Sequence, residues 1–386
     1  MKNTHTFAVL GGGIGGLSTA IALQRKGFPV TLYEAAPAFK PLGAGLSLSG
    51  NAIRAYEEIG IGPDVIAIGC KLQVARGKDE LGKLITETSS VELKERFGVI
   101  NNFTLHRADL HELLLSHLNP GTVQVGKSAT SVSQSASGVT VHFADGTTAT
   151  TDHLIAADGI HSVVRKQLLP DSQPRYSGYT CWRAVIQDLP AGIDLGEMTE
   201  TWGKGRRFGV VPLSGKRIYW FATLNTTQNN PKMKDARVTD LLELFRDFHF
   251  PIPQILERTK DEELIWGDII DIKPIRQFAF GRIVLMGDAA HATTPNLGQG
   301  ACMAIEDAAT LMNALIKYSP EEAFRRFETH RIKRTSGIVN QSWRVGQLAQ
   351  LDNPVLRSLR NSVFRSLPKR VVMDQLRNLF EVSFHP

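Results

Sequence analysis

Cysteine is scarce: three residues in 386, Cys70, Cys181 and Cys302, lie far apart with no Cys-x-x-Cys pair and no nearby histidines at metal-ligand spacing. That scarcity argues against a disulfide framework and against a zinc site. Long hydrophobic runs are missing as well. The apolar stretch from Phe7 to Leu23 is interrupted by Gly11, Gly12, Gly13, Gly15 and Gly16, and no other window approaches the roughly 20 apolar residues that a spanning helix needs. The expectation is a cytoplasmic protein with no membrane span. Internal repeats and low-complexity segments are absent, which argues against solenoids and disordered linkers.

What is present is a globular composition, 42% hydrophobic and 21% charged, in a chain long enough to bury a large core. The net charge of +6 is unevenly placed: residues 321–386 hold twelve Lys/Arg and six Asp/Glu, so the whole excess lies in the tail. The tail lacks the interleaved aromatics of single-strand binders, so no nucleic-acid partner is expected. A basic helical segment, Val355 to Phe384, is read as a solvated helix face covering the main body.

The N-terminus has the rhythm of a β-α-β unit: strand Thr6 to Gly11, helix Gly15 to Lys26, strand Val30 to Glu34. Helical periodicity covers Asn51 to Ile59 and Arg107 to Leu118. Short strands are read at Val123 to Val125, Val139 to Phe143 and His153 to Ala157. From Tyr176 to Trp266 the chain turns β-branched and aromatic, with strands at Tyr179 to Ile186, Arg207 to Pro212 and Arg217 to Thr223 and a helix near Val238 to Phe248. Ile283 to Met286 returns as a buried strand before a helix from Gly300 to Ile316. The fold class is therefore α/β, in a mixed α+β arrangement with an inserted sheet-rich unit.

Gly11, Gly13 and Gly16 satisfy G-x-G-x-x-G directly after a strand and at the opening of a helix, with Gly15 between them. Bare backbone and a helix N-terminus at that point can accept a pyrophosphate. Glu34, at the end of the second strand and followed by Ala35, lies roughly twenty residues on, where a carboxylate meets ribose hydroxyls. The fingerprint by itself leaves NAD and FAD open.

Two later segments narrow the choice: AADGIHSVVR at Ala156 to Arg165, and IVLMGDAAHATTPNLGQGACMAIED at Ile283 to Asp307, about 130 residues apart. With Arg107 in HRADLHELLL, they resemble the three ordered signatures of the single-component flavoprotein aromatic hydroxylases. The resemblance covers about residues 5 to 340. It implies a Rossmann-like FAD-binding domain in three pieces, 1–72, 98–175 and 275–340. Residues 73–97 and 176–274 would then form the substrate-binding sheet domain, and 341–386 a C-terminal helical segment. It also implies FAD as resident cofactor, held by Gly11, Gly13, Gly15, Gly16, Glu34, Ala35, Ser47, Arg107, Asp158, Asp288, Pro295, Gly298, Gln299, Gly300 and Ala301. Asp288 would meet the ribityl hydroxyls, Pro295 the isoalloxazine ring, and the amides of Gly298, Gln299 and Gly300 its pyrimidine edge. Ser47, Glu34 and Arg107 would complete the adenine and pyrophosphate side. Taken alone, Asp158-Gly159 is equally a tight turn and Asp288 a helix cap. His291 is read as a packed or capping histidine.

The implied reaction uses NADH or NADPH as a transient reductant and molecular oxygen, which adds at C4a of the flavin to give a hydroperoxide that hydroxylates a small aromatic or polycyclic substrate. The single G-x-G-x-x-G fits a nicotinamide that visits without a domain of its own. Arg183, Arg207, Phe208, Tyr219 and Phe221 are the candidate substrate-binding residues. GRRFGVVPL and KRIYWFA resemble segments of the urate-hydroxylating members that carry a substrate arginine and an active-site tyrosine, which implies catalytic roles for Arg207 and Tyr219. The sequence departs from those members where GYTCWRA places Cys181 and Arg183 at positions expected to hold amides, and where Asn296 replaces an acid. An isoprenoid epoxidase or reductase at a membrane surface, a tetracycline-type antibiotic monooxygenase and a non-catalytic flavin protein remain as alternatives. A monomer or weak homodimer is expected.

Overall fold

The computed structural model describes residues 5–39, 44–98 and 102–386. Its first sheet runs Ala279–Phe280, Ile283–Leu285, His153–Ala156, Phe7–Leu10, Val30–Tyr33, Val123–Gln124, and every pair is parallel except the first. Phe7–Leu10 is buried throughout, as its unbroken apolar run requires of a strand covered on both faces. The helix Ile14–Arg25 packs on this sheet and against the long helix Gly300–Lys317. Because neighbouring strands point the same way, the loops after Leu10, Ala156 and Leu285 meet at one edge of the sheet, where such folds gather their ligand sites.

The second sheet has seven strands, in the order Ile265–Ile272, Pro174–Ile186, Arg217–Asn225, Arg206–Leu213, Glu197–Trp202, Val74–Asp79, Leu84–Ser89. Three of the strands read from the sequence are here, two within two residues of the expected bounds and the third, Pro174–Ile186, beginning five residues before Tyr179. Val74–Asp79 and Leu84–Ser89 are only half-buried and carry Arg76, Lys78 and Glu87, which hid their alternation. Side-chain alternation divides the three central strands into two faces. Trp182, Ala184, Phe208, Val210, Trp220 and Ala222 pack on one side against Leu241, Phe245, Ile252 and Leu256. The other side, with Cys181, Arg183, Arg207, Gly209, Tyr219 and Phe221, looks toward the first sheet's ligand edge.

Helices fill the C-terminus: Pro320–Ala349, Pro354–Ser366 and Lys369–Phe380. The basic tail is not continuous, because Leu367-Pro368 breaks it. Several of its cations dock on the body: Arg365 on Asp79 at 2.6 Å and Arg357 on Glu80. Arg360 is buried and donates to the Leu348 and Ala349 carbonyls. No helix of the described residues is long and apolar enough to cross a membrane.

A buried ion cluster, with only Arg334 partly exposed, ties these layers together. Arg331 meets Glu306 at 2.6 Å and Asp307 at 2.7 Å, and Arg334 meets Glu306 at 2.6 Å. Desolvation pushes both carboxyls up, but the arginines outweigh it and hold each below its ordinary value, with His291 acting first on Asp307. A depressed carboxyl stabilises the fold above the unfolded-chain pKa, about 4, and that contribution is lost as pH falls through the folded value. Arg331→Met leaves two buried carboxylates short of a partner and is expected to cost about 3–5 kcal/mol. Its urea unfolding midpoint at neutral pH, compared with wild type, checks this. The gap between the two proteins should narrow as the buffer is taken below pH 4.

Candidate active site

The glycine fingerprint folds as its spacing demands. Gly11 has φ +98°, and a Cβ there would collide with the Ala157 carbonyl, so the loop presses directly on the loop after His153–Ala156. A Cβ on Gly16 would strike the Gly11 carbonyl, so the helix can start this close to its strand only without a side chain. A Cβ on Gly15 would lie 3.1 Å from the Ala304 Cβ, so the bare glycine lets Gly300–Lys317 pack against the same turn. Gly13 differs: a Cβ there would meet nothing within 4 Å. It caps the helix Ile14–Arg25, whose free amides and positive end face that open space.

Glu34 accepts from Gly12 N at 2.6 Å and Ala36 N at 2.7 Å, which holds its carboxylate beside the fingerprint; Ala35 is exposed. Asp288 is surrounded by protein except on its exposed side, and its carboxylate accepts no hydrogen bond from the described residues. Burial raises its pKa, with His291, Arg107 and Arg165 opposing. Arg107, exposed at the start of Arg107–Ser116, has no partner of its own among the described residues. An acceptor short of donors, an unpartnered cation and an uncovered helix N-terminus, converging at one sheet edge, are the groups a dinucleotide with ribityl hydroxyls and a pyrophosphate would satisfy. The chain's own residues thus fit FAD.

Other expected positions take structural duties. Asp158 accepts from Ser162 Oγ at 2.6 Å and Val163 N at 3.0 Å, capping Val163–Leu168, while Gly159 turns at φ +81°. Arg165 donates to the Ala289 carbonyl at 3.1 Å and to that of Ile160, bracing the loop that carries Asp288. Gln299 is buried, bonded to Asn51 at 2.9 Å and Ser49 at 3.1 Å. Pro295 and Gly298 are exposed, and Gly300 and Ala301 open the long helix with their backbone toward the same space. Ser47 lies on Gly45–Leu48 with its hydroxyl 3.9 Å from Met198 Sδ, beside the seven-stranded sheet and not at the glycine turn. His291 Nε2 pairs with Asp307 at 2.6 Å, a packed role as read from the sequence.

On the seven-stranded sheet the alternation separates the candidates. Phe208 is fully buried and stacked on Trp220 at 5.3 Å, on the face away from the flavin loops. This corrects its expected place in the substrate pocket: period two puts it opposite Arg207. Arg207 is buried with all three nitrogens engaged at 2.9 Å, on Gln350, Glu200 and Asn296, and lies over the Tyr179 ring. It spans sheet, C-terminal helix and flavin loop, and does not present an open fork. Tyr219 packs its ring on Gly45, and Phe221 lies over Gly209. The Tyr219 hydroxyl makes no hydrogen bond to the described residues. Burial, then Cys181, pushes its pKa up against Arg183, so it stays protonated. Glu200, Gln350, Asn51, Asp307 and Arg331 were not singled out from the sequence. Only Asp307 had a local signal, as the acid closing the third motif.

No group of residues that could hold a metal ion occurs among the described residues. The sequence pattern of the FAD binding domain family matches residues 4–336. The aurachin C monooxygenase/isomerase of Stigmatella aurantiaca is 38% identical over 381 residues, 98% of this chain and 99% of that protein. The FAD-dependent urate hydroxylase of Klebsiella pneumoniae is 34% identical over 335 residues, 86% of this chain and 87% of that protein. The crystal structure of Klebsiella pneumoniae HpxO with FAD and uric acid superposes with a TM-score of 0.91 at 30% identity, covering 98% of this chain and 97% of that one.

The two kinds of glycine predict opposite failures. Gly13→Val, at φ −74° with open space around it, should melt like wild type yet purify without its yellow chromophore. Gly16→Val should lose about 1–3 kcal/mol or more through overpacking, read as a lower melting temperature even with excess FAD.

Proposed function

The chain belongs to the FAD binding domain family of single-component flavoprotein monooxygenases, and on that premise we propose that it hydroxylates an aromatic or heteroaromatic ring held between the flavin loop and the seven-stranded sheet, with NADH or NADPH as reductant. It is an FAD-dependent monooxygenase acting on small aromatic or heterocyclic substrates. FAD, when bound, would supply the redox chemistry, with the nicotinamide as hydride source and dioxygen as source of the oxygen atom, its second oxygen leaving as water.

The chain's residues bind, orient and exclude water. Gly13 and Arg107 would hold the pyrophosphate, Glu34 the ribose and Asp288 the ribityl chain. The amides of Gly300 and Ala301, at a helix start, would favour negative charge on the reduced ring. Cys181, Phe221 and Val211 give the facing surface an apolar character that keeps water from the reacting atoms. The observation that carries this reading is the half-buried row Arg183, Tyr219 and Phe221, which faces the flavin loops while every neighbour of opposite alternation is sealed in a core. One further observation favours a lipophilic substrate met at a membrane surface: Val355, Leu359 and Val363 stand exposed on one face of Pro354–Ser366.

The purified protein should be yellow and should oxidise NADH or NADPH faster with one member of a panel of phenols, purines, hydroxyquinolines and polycyclic antibiotics. The product should gain the mass of one oxygen atom. A colourless protein that cannot be reconstituted with FAD sinks the assignment. Release from anionic vesicles on changing Leu359→Glu would support the lipophilic reading, and no vesicle binding by wild type would remove it.

A further inference from the structure

Resting on the hydroxylase reading, we infer that Arg183, and not Arg207, is the cation that binds an acidic oxygen of the substrate, with the Tyr219 hydroxyl as second donor. The site then selects rings that carry an ionisable hydroxyl or carboxyl group.

The first ground is charge compensation. Other buried guanidiniums of this chain have their charge or their N–H groups answered: Arg331 by Glu306 and Asp307, Arg207 by Glu200, Arg165 and Arg360 by backbone carbonyls. Arg183 has no carboxylate within ion-pairing distance among the described residues. The groups around it are Cys181, Tyr219 and Tyr179, none of them a carboxylate; Cys181, which also hydrogen-bonds to it, does most to favour its charged form, against desolvation. A half-buried guanidinium with no carboxylate partner is open to an anion supplied by a ligand.

Place is the second ground. Arg183 pairs across to Phe221, which pairs to Gly209, and the adjacent step of the register sets Val185 against Tyr219 and Tyr219 against Val211. Arg183, Tyr219 and Phe221 thus form one patch on the face toward the flavin loops. Along the same strands, Tyr179, four residues from Arg183, and Arg207, two residues from Gly209, touch Asn296 of the flavin loop at 3.1 Å and 2.9 Å. The patch lies just beyond that contact, with Gly45 of the flavin side against the Tyr219 ring. A ring entering there meets a planar cationic fork, an unsatisfied hydroxyl donor and an aromatic wall.

Chemistry is the third. An ionised hydroxyl pushes electron density into its ring, which favours attack on an electrophilic oxygen. A guanidinium that holds the ring's oxygen as an anion, and a phenol that stays protonated to donate to it, would select the reactive form.

The test titrates the FAD-loaded protein with phenols, hydroxypyridines, hydroxyquinolines and benzoates, each paired with its O-methyl ether or methyl ester, and reads the flavin's visible spectrum. In wild type the tightest ligand should be an acidic member that binds roughly tenfold to a hundredfold better than its methylated partner. Arg183→Met should erase that preference with flavin content unchanged, Arg183→Lys should keep part of it, and Arg207→Met should keep the preference while lowering the melting temperature. Equal binding of acidic and methylated members, no spectral response to any member, or a preference that survives Arg183→Met would each overturn the inference. Failure of the hydroxylase reading is distinguishable: ligands would bind with this preference, yet NADH and NADPH would give no oxygenated product.

Discussion

A single buried carboxylate holds the pieces of the flavin side in register. Asp307 takes the Gly287 amide at 2.8 Å and His291 at 2.6 Å on one oxygen, and Arg331 at 2.7 Å on the other. The first two contacts fix the turn that carries Asp288; the third binds that turn to the helix Pro320–Ala349. Because all the partners are buried, the low local dielectric makes the cluster unforgiving of any missing member. The loop that carries Asp288 and Pro295 is therefore positioned by buried charges behind it.

A related economy governs the facing sheet. Its helix-covered side is a conventional apolar core, and its other side mixes apolar residues with two arginines and two tyrosines. Strand alternation enforces the division, so neighbours in sequence have unrelated jobs: Phe208 is core and Arg207 is a strut. Arg207 reaches Gln350 at the end of the long C-terminal helix, and through it the last segment of the chain touches the roof of the site. The tail's basic character thus serves docking in part, since Arg357 and Arg365 are spent on Glu80 and Asp79, while the apolar residues of Pro354–Ser366 remain uncovered.

The sequence by itself determined the β-α-β start and the strands and helices with a clear apolar pattern, because these depend on short-range constraints, while the cofactor class rested on three ordered motifs and the family they resemble. Gly16 is fixed by its contact with the Gly11 carbonyl five residues back, and the apolar runs of Phe7–Leu10 and Ile283–Leu285 announce buried parallel strands whatever surrounds them. The half-buried Val74–Asp79 and Leu84–Ser89 were not read as strands, since Val74–Asp79 joins the sheet through Glu197–Trp202, more than a hundred residues on, and Leu84–Ser89 pairs with it at the edge. Tertiary structure alone decided which charges find partners. Nothing local distinguishes Arg183 from Arg207: both stand in aromatic-rich strands two residues from a small side chain. Folding brings Glu200, Asn296 and Gln350 to one and leaves the other without a carboxylate, because a counter-ion is chosen by distance in space and the sequence records only distance along the chain.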